Sequence, residues 1–205
     1  ILMEVQTGSI KAMVNLHRLS AGVYVEDYFN YAIGAATEPG STFKLFSLMA
    51  ALEDGVVKVT DSIDTGNGAY RFYDRIMRDS QQGGYGMLSV SEVLEKSSNI
   101  GIAKIIYENY KDNPRRFVDR LYNMGINKPL GIELLGEDRP LIKYPGDNSW
   151  SGTTLPWMSM GYEVKMTPLQ LLTYYNAVAN KGKAVRPMFV KGLSHHGKMV
   201  ERYSP

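Results

Sequence analysis

The feature that most constrains the fold is a helix start near residue 40. Segment 39–44 contains Ser41 and Lys44, and an apolar run follows it until Gly55. The apolar residues of that run lie at helical spacing: Leu45, Phe46, Leu48, Met49 and Leu52. This pattern predicts a buried helix over about residues 40–54, ended by a glycine. Because residues three apart share a helix face, the Ser41 hydroxyl and the Lys44 amine are predicted to be neighbours.

This pair has a chemical and a structural interpretation. A serine becomes a useful nucleophile when an adjacent base takes its proton, and a buried lysine with a lowered pKa can be that base. The first helical turn also offers free backbone N–H groups that suit an oxyanion. Alternatively, Ser41 is only an N-cap and Lys44 a solvated lysine. Both residue types are common, so the pair alone leaves both interpretations open.

Composition narrows the classes of protein to which the chain can belong. The chain has 205 residues, of which 44% are hydrophobic and 21% charged, which is typical of one soluble globular domain or one with a small lobe. A net charge of +2 and the lack of a polybasic run give no reason to expect nucleic acid as a partner. No apolar stretch approaches membrane-spanning length. The chain opens on Ile1 rather than methionine, so we expect it to be an excised piece.

The sequence offers no metal or cofactor site. It has no cysteine, which excludes disulfides, thiolate ligands and a cysteine nucleophile. The three histidines share no spacing with carboxylates that indicates a metal. We interpret the aspartates of the central region as solvated turn formers, namely Asp61, Asp64, Asp74 and Asp79. We therefore expect neither a metal nor a cofactor.

Local signals predict several other elements. A hairpin is predicted from runs 1–6 and 10–16, a loop over 17–38, and mostly irregular structure over 56–87. Further helices are predicted from a capping box at 89–92, from the pattern after residue 99, from Pro114 and from Thr167-Pro168 to about Asn180. A short strand is predicted over 184–191.

Segment Ser97-Ser98-Asn99 lies between two helical patterns, where side chains can project into a cleft. A hydroxyl could relay a proton, and an asparagine amide could hold a peptide through both its donor and its acceptor. The alternative is a helix break with capping side chains.

Taken together, the motifs resemble a known family. Ser-x-x-Lys followed by Ser-x-Asn is the order found in penicillin-recognising serine enzymes. The surrounding sequence resembles class B penicillin-binding proteins of the cell-division and elongation type in five segments: Met3–Gly8, Glu38–Lys44, Lys96–Gly101, Gly161–Glu163 with Thr167–Gln170, and Ala177–Gly182. The resemblance covers nearly the whole chain in the family's order.

The resemblance implies a fold and a reaction. The fold would be α/β (α+β), that of the penicillin-binding protein and β-lactamase transpeptidases. Ser41 would attack a D-Ala-D-Ala peptide bond of a peptidoglycan stem and form an acyl-enzyme, which an amine of a second stem resolves into a cross-link. Lys44 would be the base, and Ser97 would pass a proton to the leaving amine. Asn99 would bind the substrate backbone and help hold Lys44. Half of the oxyanion hole would be the Ser41 N–H.

The resemblance also implies binding residues and partners. It points to Tyr162, Gly161 and Ser98 as substrate-binding residues. Stem peptides and β-lactam antibiotics would be ligands, and the full-length protein would contact cell-division or elongation proteins. The location implied is the extracytoplasmic, periplasmic side of the bacterial membrane, with an anchoring helix upstream.

One departure limits the resemblance. The family's third motif, Lys-Thr-Gly or Lys-Ser-Gly, is absent, and neither Lys181-Gly182-Lys183 nor His196-Gly197-Lys198 matches it. We therefore expect residues 1–205 to be a partial transpeptidase domain, with the N-terminal hairpin and helical lobe but without the C-terminal sheet strands. Such a fragment is expected to be impaired or inactive. A β-lactam sensor, a serine β-lactamase-like domain and a non-catalytic scaffold of the division complex remain alternatives.

Overall fold

The computed structural model of the chain describes residues 1–204, which form a mixed set of helices and strands. The helices are α1 (Tyr31–Gly34), α2 (Lys44–Glu53), α3 (Val90–Glu95), α4 (Asn99–Tyr110), α5 (Pro114–Asn123), α6 (Thr154–Met158) and α7 (Pro168–Ala179). The strands are β1 (Leu2–Met3), β2 (Ile10–Ala12), β3 (Leu16–Ser20), β4 (Val23–Glu26), β5 (Ser62–Asp64), β6 (Ala69–Phe72), β7 (Arg75–Arg78), β8 (Met87–Ser89), β9 (Leu141–Ile142), β10 (Val164–Lys165), β11 (Gly192–His195) and β12 (Lys198–Arg202). Each sheet over these residues is an antiparallel pair of strands.

The first of two compact units comprises residues 1–37, 128–140 and 166–204. It contains the hairpins β1–β2, β3–β4 and β11–β12, together with α1 and α7. Its core is built around Ala32, Ile33 and Leu169. Helix α7 begins with a capping box between Thr167 and Gln170. Since both partners of that box are buried, the helix start is fixed by side-chain hydrogen bonds inside the unit.

The second unit comprises residues 38–127 and 141–165 and holds every predicted catalytic residue. Its core is helical: α4 contributes four isoleucines that are almost fully buried, and α2 and α5 pack beside it. The hairpin β6–β7 and the pair β5–β8 also contact α4 or its neighbours. Helix α4 therefore forms the centre of the unit, and its first residue is Asn99.

Several sequence predictions are confirmed. The hairpin at the start of the chain forms, with strands shorter than predicted. The helix near residue 40 forms after a 3₁₀ turn at Gly40–Phe43. The capping box at Ser89 and Glu92 and the proline at the start of α5 are also as predicted.

Other predictions are wrong. Segment 17–38 is not a loop, because it contributes to β3–β4 and contains α1. Segment 56–87 is mostly irregular, as predicted, but it also contains the short strands β5, β6 and β7 and the start of β8, which were not predicted. Segment 184–191 makes only an isolated bridge, Ser9 to Met188, and the hairpin β11–β12 follows it. Within residues 1–204, none of the helices is long and apolar enough to cross a bilayer.

Candidate active site

Ser41 lies in the 3₁₀ turn that leads into α2. Its side chain is exposed, while Phe43 in the same turn is fully buried and packs edge-on against Phe46, with 5.4 Å between ring centroids. The backbone N–H of Lys44 donates to the Ser41 carbonyl, which joins the turn to the helix. Anchoring by Phe43 therefore holds Ser41 at the surface in a fixed turn.

Lys44 is the first residue of α2 and is only 1% exposed. Its side chain shares a helix face with Ser41, because residues three apart nearly eclipse in a 3₁₀ turn. The arrangement excludes the alternative of a solvated lysine. A buried ammonium group is costly unless its protons are bonded, so its partners decide what it can do.

Three oxygens accept hydrogen bonds from the Lys44 ammonium group. Nζ lies 2.6 Å from the Ser97 carbonyl oxygen, 3.0 Å from Ser97 Oγ and 2.6 Å from Asn99 Oδ1. These contacts match the three protons of an ammonium group. They also join the Ser-x-x-Lys and Ser-x-Asn motifs, which are more than fifty residues apart in the sequence, into one cluster.

The pKa of Lys44 suits a base. Burial lowers this pKa from the ordinary 10.5 to about 8, and the negative charge of Asp79 opposes the shift. At pH 7 roughly one lysine in ten is then neutral, which is far more than for a solvated lysine. In the neutral form the amine has a lone pair for a proton, and Ser97 Oγ can turn from acceptor to donor.

The loop between α3 and α4 shapes the second motif. Ser97 adopts a left-handed backbone conformation, with φ of 53°, at the end of α3. The next residue, Ser98, is fully buried and caps α4 by accepting from the N–H of Gly101. A Cβ at Gly101 would lie 2.6 Å from a methyl group of Val93, so close packing of α3 on α4 fixes the loop. Substrate binding by Ser98 stays a prediction, and its burial favours a capping role.

Asp79 is a site residue that the sequence analysis missed. We predicted that Asp79 is a solvated turn former, and this is wrong. Its carboxylate accepts hydrogen bonds from Ser98 Oγ and from the backbone N–H groups of Asn99 and Ile100. It follows β7 directly. No local pattern marks such a residue, because its partners lie about twenty positions further along the chain.

Gly161 and Tyr162 lie beside the Ser41 turn. The Gly40 N–H donates to the Gly161 carbonyl over 3.1 Å, and the Glu163 N–H donates to the Glu38 carboxylate. Tyr162 is 45% exposed. Both remain predicted substrate-binding residues, and Gly161 has in addition a clear packing role.

Replacing Gly161 with alanine is expected to destabilise the turn. Gly161 has φ of +87°, and a Cβ there would lie 2.1 Å from the Gly40 carbonyl oxygen. We expect a loss of about 2–5 kcal/mol in the free energy of unfolding, from backbone strain and overpacking together. Urea unfolding of the purified variant measures it.

Gly40→Ala is the matched control. Gly40 also has a positive φ, of +57°, but nothing lies within 4 Å of its added Cβ. Its loss should be limited to the cost of the left-handed backbone, about 1–2 kcal/mol. Equal losses in the two variants would show that the close approach at Gly161 is unimportant.

Metal ligands do not converge anywhere in the described part of the chain. Over residues 1–204, no three histidine or acidic side chains group as a metal site requires. The cluster itself brings together an exposed hydroxyl, a buried amine of lowered pKa, a second hydroxyl and an amide.

The sequence of the chain matches a family model and several curated proteins. The family described as "Penicillin binding protein transpeptidase domain" matches residues 1–203. The chain is 31% identical over 194 residues to the peptidoglycan D,D-transpeptidase FtsI of Escherichia coli K12, covering 93% of this chain and 31% of that protein. It is 27% identical to the penicillin-binding protein PbpB of Mycobacterium tuberculosis, covering 100% of this chain and 30% of that protein.

The chain is also similar to solved structures, of which two serve as examples. One is the apo transpeptidase domain of Burkholderia pseudomallei penicillin-binding protein 3, with a TM-score of 0.73, 26% identity, and coverage of 99% of this chain and 55% of that chain. The other is Mycobacterium tuberculosis penicillin-binding protein 3 complexed with ampicillin, with a TM-score of 0.72, 27% identity, and coverage of 88% and 39%. The chain spans about a third of the length of these two curated relatives.

Proposed function

The chain belongs to the penicillin-binding protein transpeptidase family, and on that basis we propose that it carries the acylation site of a peptidoglycan D,D-transpeptidase. Membership confirms the family and the fold class that the sequence predicted. The observation that carries the proposal is the contact set of Lys44, whose amine joins Ser97 and Asn99 within hydrogen-bond distance. A buried amine of lowered pKa one turn from an exposed serine is suited to activating that serine.

In the proposed first step, Ser41 Oγ forms a bond to the carbonyl carbon of the penultimate D-alanine. The hydroxyl proton passes to Lys44 Nζ, which must be neutral to receive it. When the tetrahedral intermediate collapses, the peptide C–N bond breaks and the terminal D-alanine leaves. Its nitrogen takes a proton through Ser97 Oγ, which lies 3.0 Å from Nζ. Lys44 is thereby returned to its neutral form.

The second step is the first in reverse with a different amine. An amino group of a neighbouring stem peptide attacks the acyl carbon and gives up a proton to the same relay. The bond to Ser41 Oγ breaks, Oγ takes back a proton from Lys44 Nζ, and the new amide is the cross-link. A β-lactam would acylate Ser41 in the same way, but its leaving group stays tethered and keeps the site blocked.

Asn99 and the Ser41 backbone complete the proposed site. Asn99 Nδ2 donates one proton to the Arg78 carbonyl, so its second proton would bind the substrate backbone while Oδ1 keeps the contact to Lys44. An N–H in the first turn of a helix lies at the positive end of the dipole, so the Ser41 N–H suits a developing oxyanion. We propose Tyr162 and Gly161 as neighbours of the bound peptide, since they adjoin the Ser41 turn.

The wider setting is also a proposal. The relatives named above are peptidoglycan transpeptidases and penicillin-binding proteins, whose substrate lies outside the cytoplasmic membrane. We place the domain on that side, the periplasmic one, attached through a segment upstream of Ile1. Division or elongation proteins would be its partners.

Covalent labelling tests the proposed function. We expect a fluorescent penicillin to label the full-length protein, and mass spectrometry of the digest to find the adduct on the peptide that contains Ser41. A chromogenic β-lactam should be consumed in a burst of about one equivalent without steady turnover, as expected for a stable acyl-enzyme. No adduct at any pH would contradict the proposal, and sustained turnover would indicate a β-lactamase instead.

A further inference from the structure

The Asp79 carboxylate receives an unusual number of hydrogen bonds. Ser98 Oγ donates to both of its oxygens, at 3.1 and 2.9 Å. The backbone N–H groups of Asn99 and Ile100 donate to Oδ1 at 2.6 and 3.1 Å. These N–H groups belong to the first turn of α4 and have no partner within the helix. Asp79 therefore fixes the start of α4 from outside the helix.

Asp79 is itself held by a hairpin. Its N–H donates to the Gly68 carbonyl over 3.1 Å, beside the first residue of β6. The preceding residue, Arg78, is the last of β7, and its carbonyl accepts from Asn99 Nδ2 at 2.8 Å. Two consecutive residues of one hairpin thus contact Asn99, one through its backbone N–H and one through its side-chain amide.

These contacts leave Asn99 little freedom. Its N–H and Nδ2 are bound on the hairpin side, so Oδ1 points to Lys44 Nζ at 2.6 Å. We propose that Asp79 is a positioning residue, which acts through Asn99 and Ser98 to hold the Ser-x-Asn loop against the Lys44 amine. The proposal rests on the proposed function for its effect on rate, while its effect on Lys44 is independent of it.

The negative charge of Asp79 also affects the pKa of Lys44. Asp79 is the charged group with a resolved influence on the pKa of Lys44, which it raises against the larger effect of burial. This Coulombic effect depends on the position of the charge and acts in addition to the hydrogen bonds through which Asp79 holds the loop. Removing its charge should therefore move the titration of Lys44 as well as loosen the loop.

The test uses Asp79→Asn and Asp79→Ala in the full-length protein. Asparagine keeps an oxygen acceptor and the side-chain shape but removes the charge, whereas alanine removes both. We expect the maximal rate of acylation by penicillin to fall on the order of ten- to a hundredfold in Asp79→Ala, since small displacements of a catalytic group have effects of that size. The maximal rate of acylation should fall less in Asp79→Asn than in Asp79→Ala, and the midpoint of the Asp79→Asn pH–rate profile should shift to lower pH.

Glu92→Gln is the matched control. Glu92 is also a carboxylate at a helix start, where it accepts from the N–H of Ser89 at the beginning of α3. This control should lower thermal stability slightly and leave the pH profile in place. If Asp79→Asn and Asp79→Ala behaved like Glu92→Gln, with unchanged maximal rate and midpoint, the proposal would be overturned.

A second readout does not depend on activity. Protein labelled with ¹³C-lysine allows the Lys44 signal to be followed by NMR against pH, after assignment by its absence in Lys44→Arg. We expect the pKa of Lys44 to be lower in Asp79→Asn than in the wild type, even if penicillin never labels the protein. An unchanged Lys44 pKa would refute the inference about Asp79, whereas absent labelling with a shifted Lys44 pKa would refute only the proposed function.

Discussion

Ser41→Ala is expected to abolish covalent labelling by penicillin completely. The exposed Ser41 is the proposed nucleophile, and alanine has no oxygen with which to form the acyl bond. The substitution removes no hydrogen bond from the core, so the variant should unfold at nearly the wild-type temperature. Fluorescence of the labelled band and intact-protein mass spectrometry measure the loss. Labelling of the variant at even a hundredth of the wild-type rate would point to another acylated residue.

Ser47→Ala provides a matched control for this result. Ser47 lies further along α2, is fully buried and donates to the Ser159 carbonyl at 2.9 Å. Its loss leaves a buried acceptor unsatisfied and should cost about 1–3 kcal/mol of stability. Labelling should nevertheless persist. Comparing the two variants distinguishes loss of the nucleophile from loss of stability. Ser41→Ala should be the more stable variant and yet remain unlabelled, whereas Ser47→Ala should be less stable and still be labelled.

Replacing Lys44 is expected to slow acylation by about 10²–10⁴-fold, the usual contribution of a general base. Lys44→Met keeps the length of the side chain without the amine, and Lys44→Arg keeps the charge but cannot release a proton at any accessible pH. Both should be slow if Lys44 acts as the base. A fast Lys44→Arg variant would show that only the positive charge matters.

Lys104→Met is the control for removing a lysine. Lys104 lies on α4, donates to the Asp64 carbonyl at 2.6 Å and stacks over the Tyr70 ring. Its loss should leave the acylation rate within a few-fold of the wild type. A large effect there would indicate that α4 transmits any disturbance to the site.

The pH dependence of the wild type follows from the same lysine. If the neutral amine is the active form, as proposed, a pKa of about 8 means that the acylation rate should rise about tenfold per pH unit below that value and level off above it. The sign of the change in rate with pH shows which form of Lys44 is active. If the ammonium form were the active one, the rate would fall over the same range, and stopped-flow acylation in overlapping buffers would reveal it.

Much of the helical part of the fold could be predicted because its signals are local. The capping boxes at Ser89 and Thr167 and the proline that begins α5 each lie within four residues of the structure they specify. The Ser-x-x-Lys and Ser-x-Asn motifs, whose catalytic role is proposed, were found for the same reason. Their contact across more than fifty residues, by contrast, followed only from the family resemblance.

The missed hairpins lacked such signals. Every residue of β3 is exposed, so no alternation of buried and exposed positions marks that strand. The turn between β6 and β7 consists of Tyr73 and Asp74, and Tyr73 adopts φ of 54°, which a tyrosine rarely does. Its hydroxyl accepts from the Tyr107 hydroxyl, and its ring lies under 3 Å from the position a Cβ on Gly152 would take. Tertiary contacts therefore set this turn, and Asp79 was missed along with it.

The Ser97 carbonyl has a consequence for how the site can vary in evolution. One of the three oxygens that hold the Lys44 amine belongs to the main chain, so no codon change at position 97 can delete it. A lineage that alters the Ser97 side chain or Asn99 still retains that anchor, provided the residue at 97 tolerates a left-handed backbone. Glycine and asparagine do so most readily. Under the proposed function, substitutions at Ser97 or Asn99 can therefore change the proton relay without first releasing the lysine from its place.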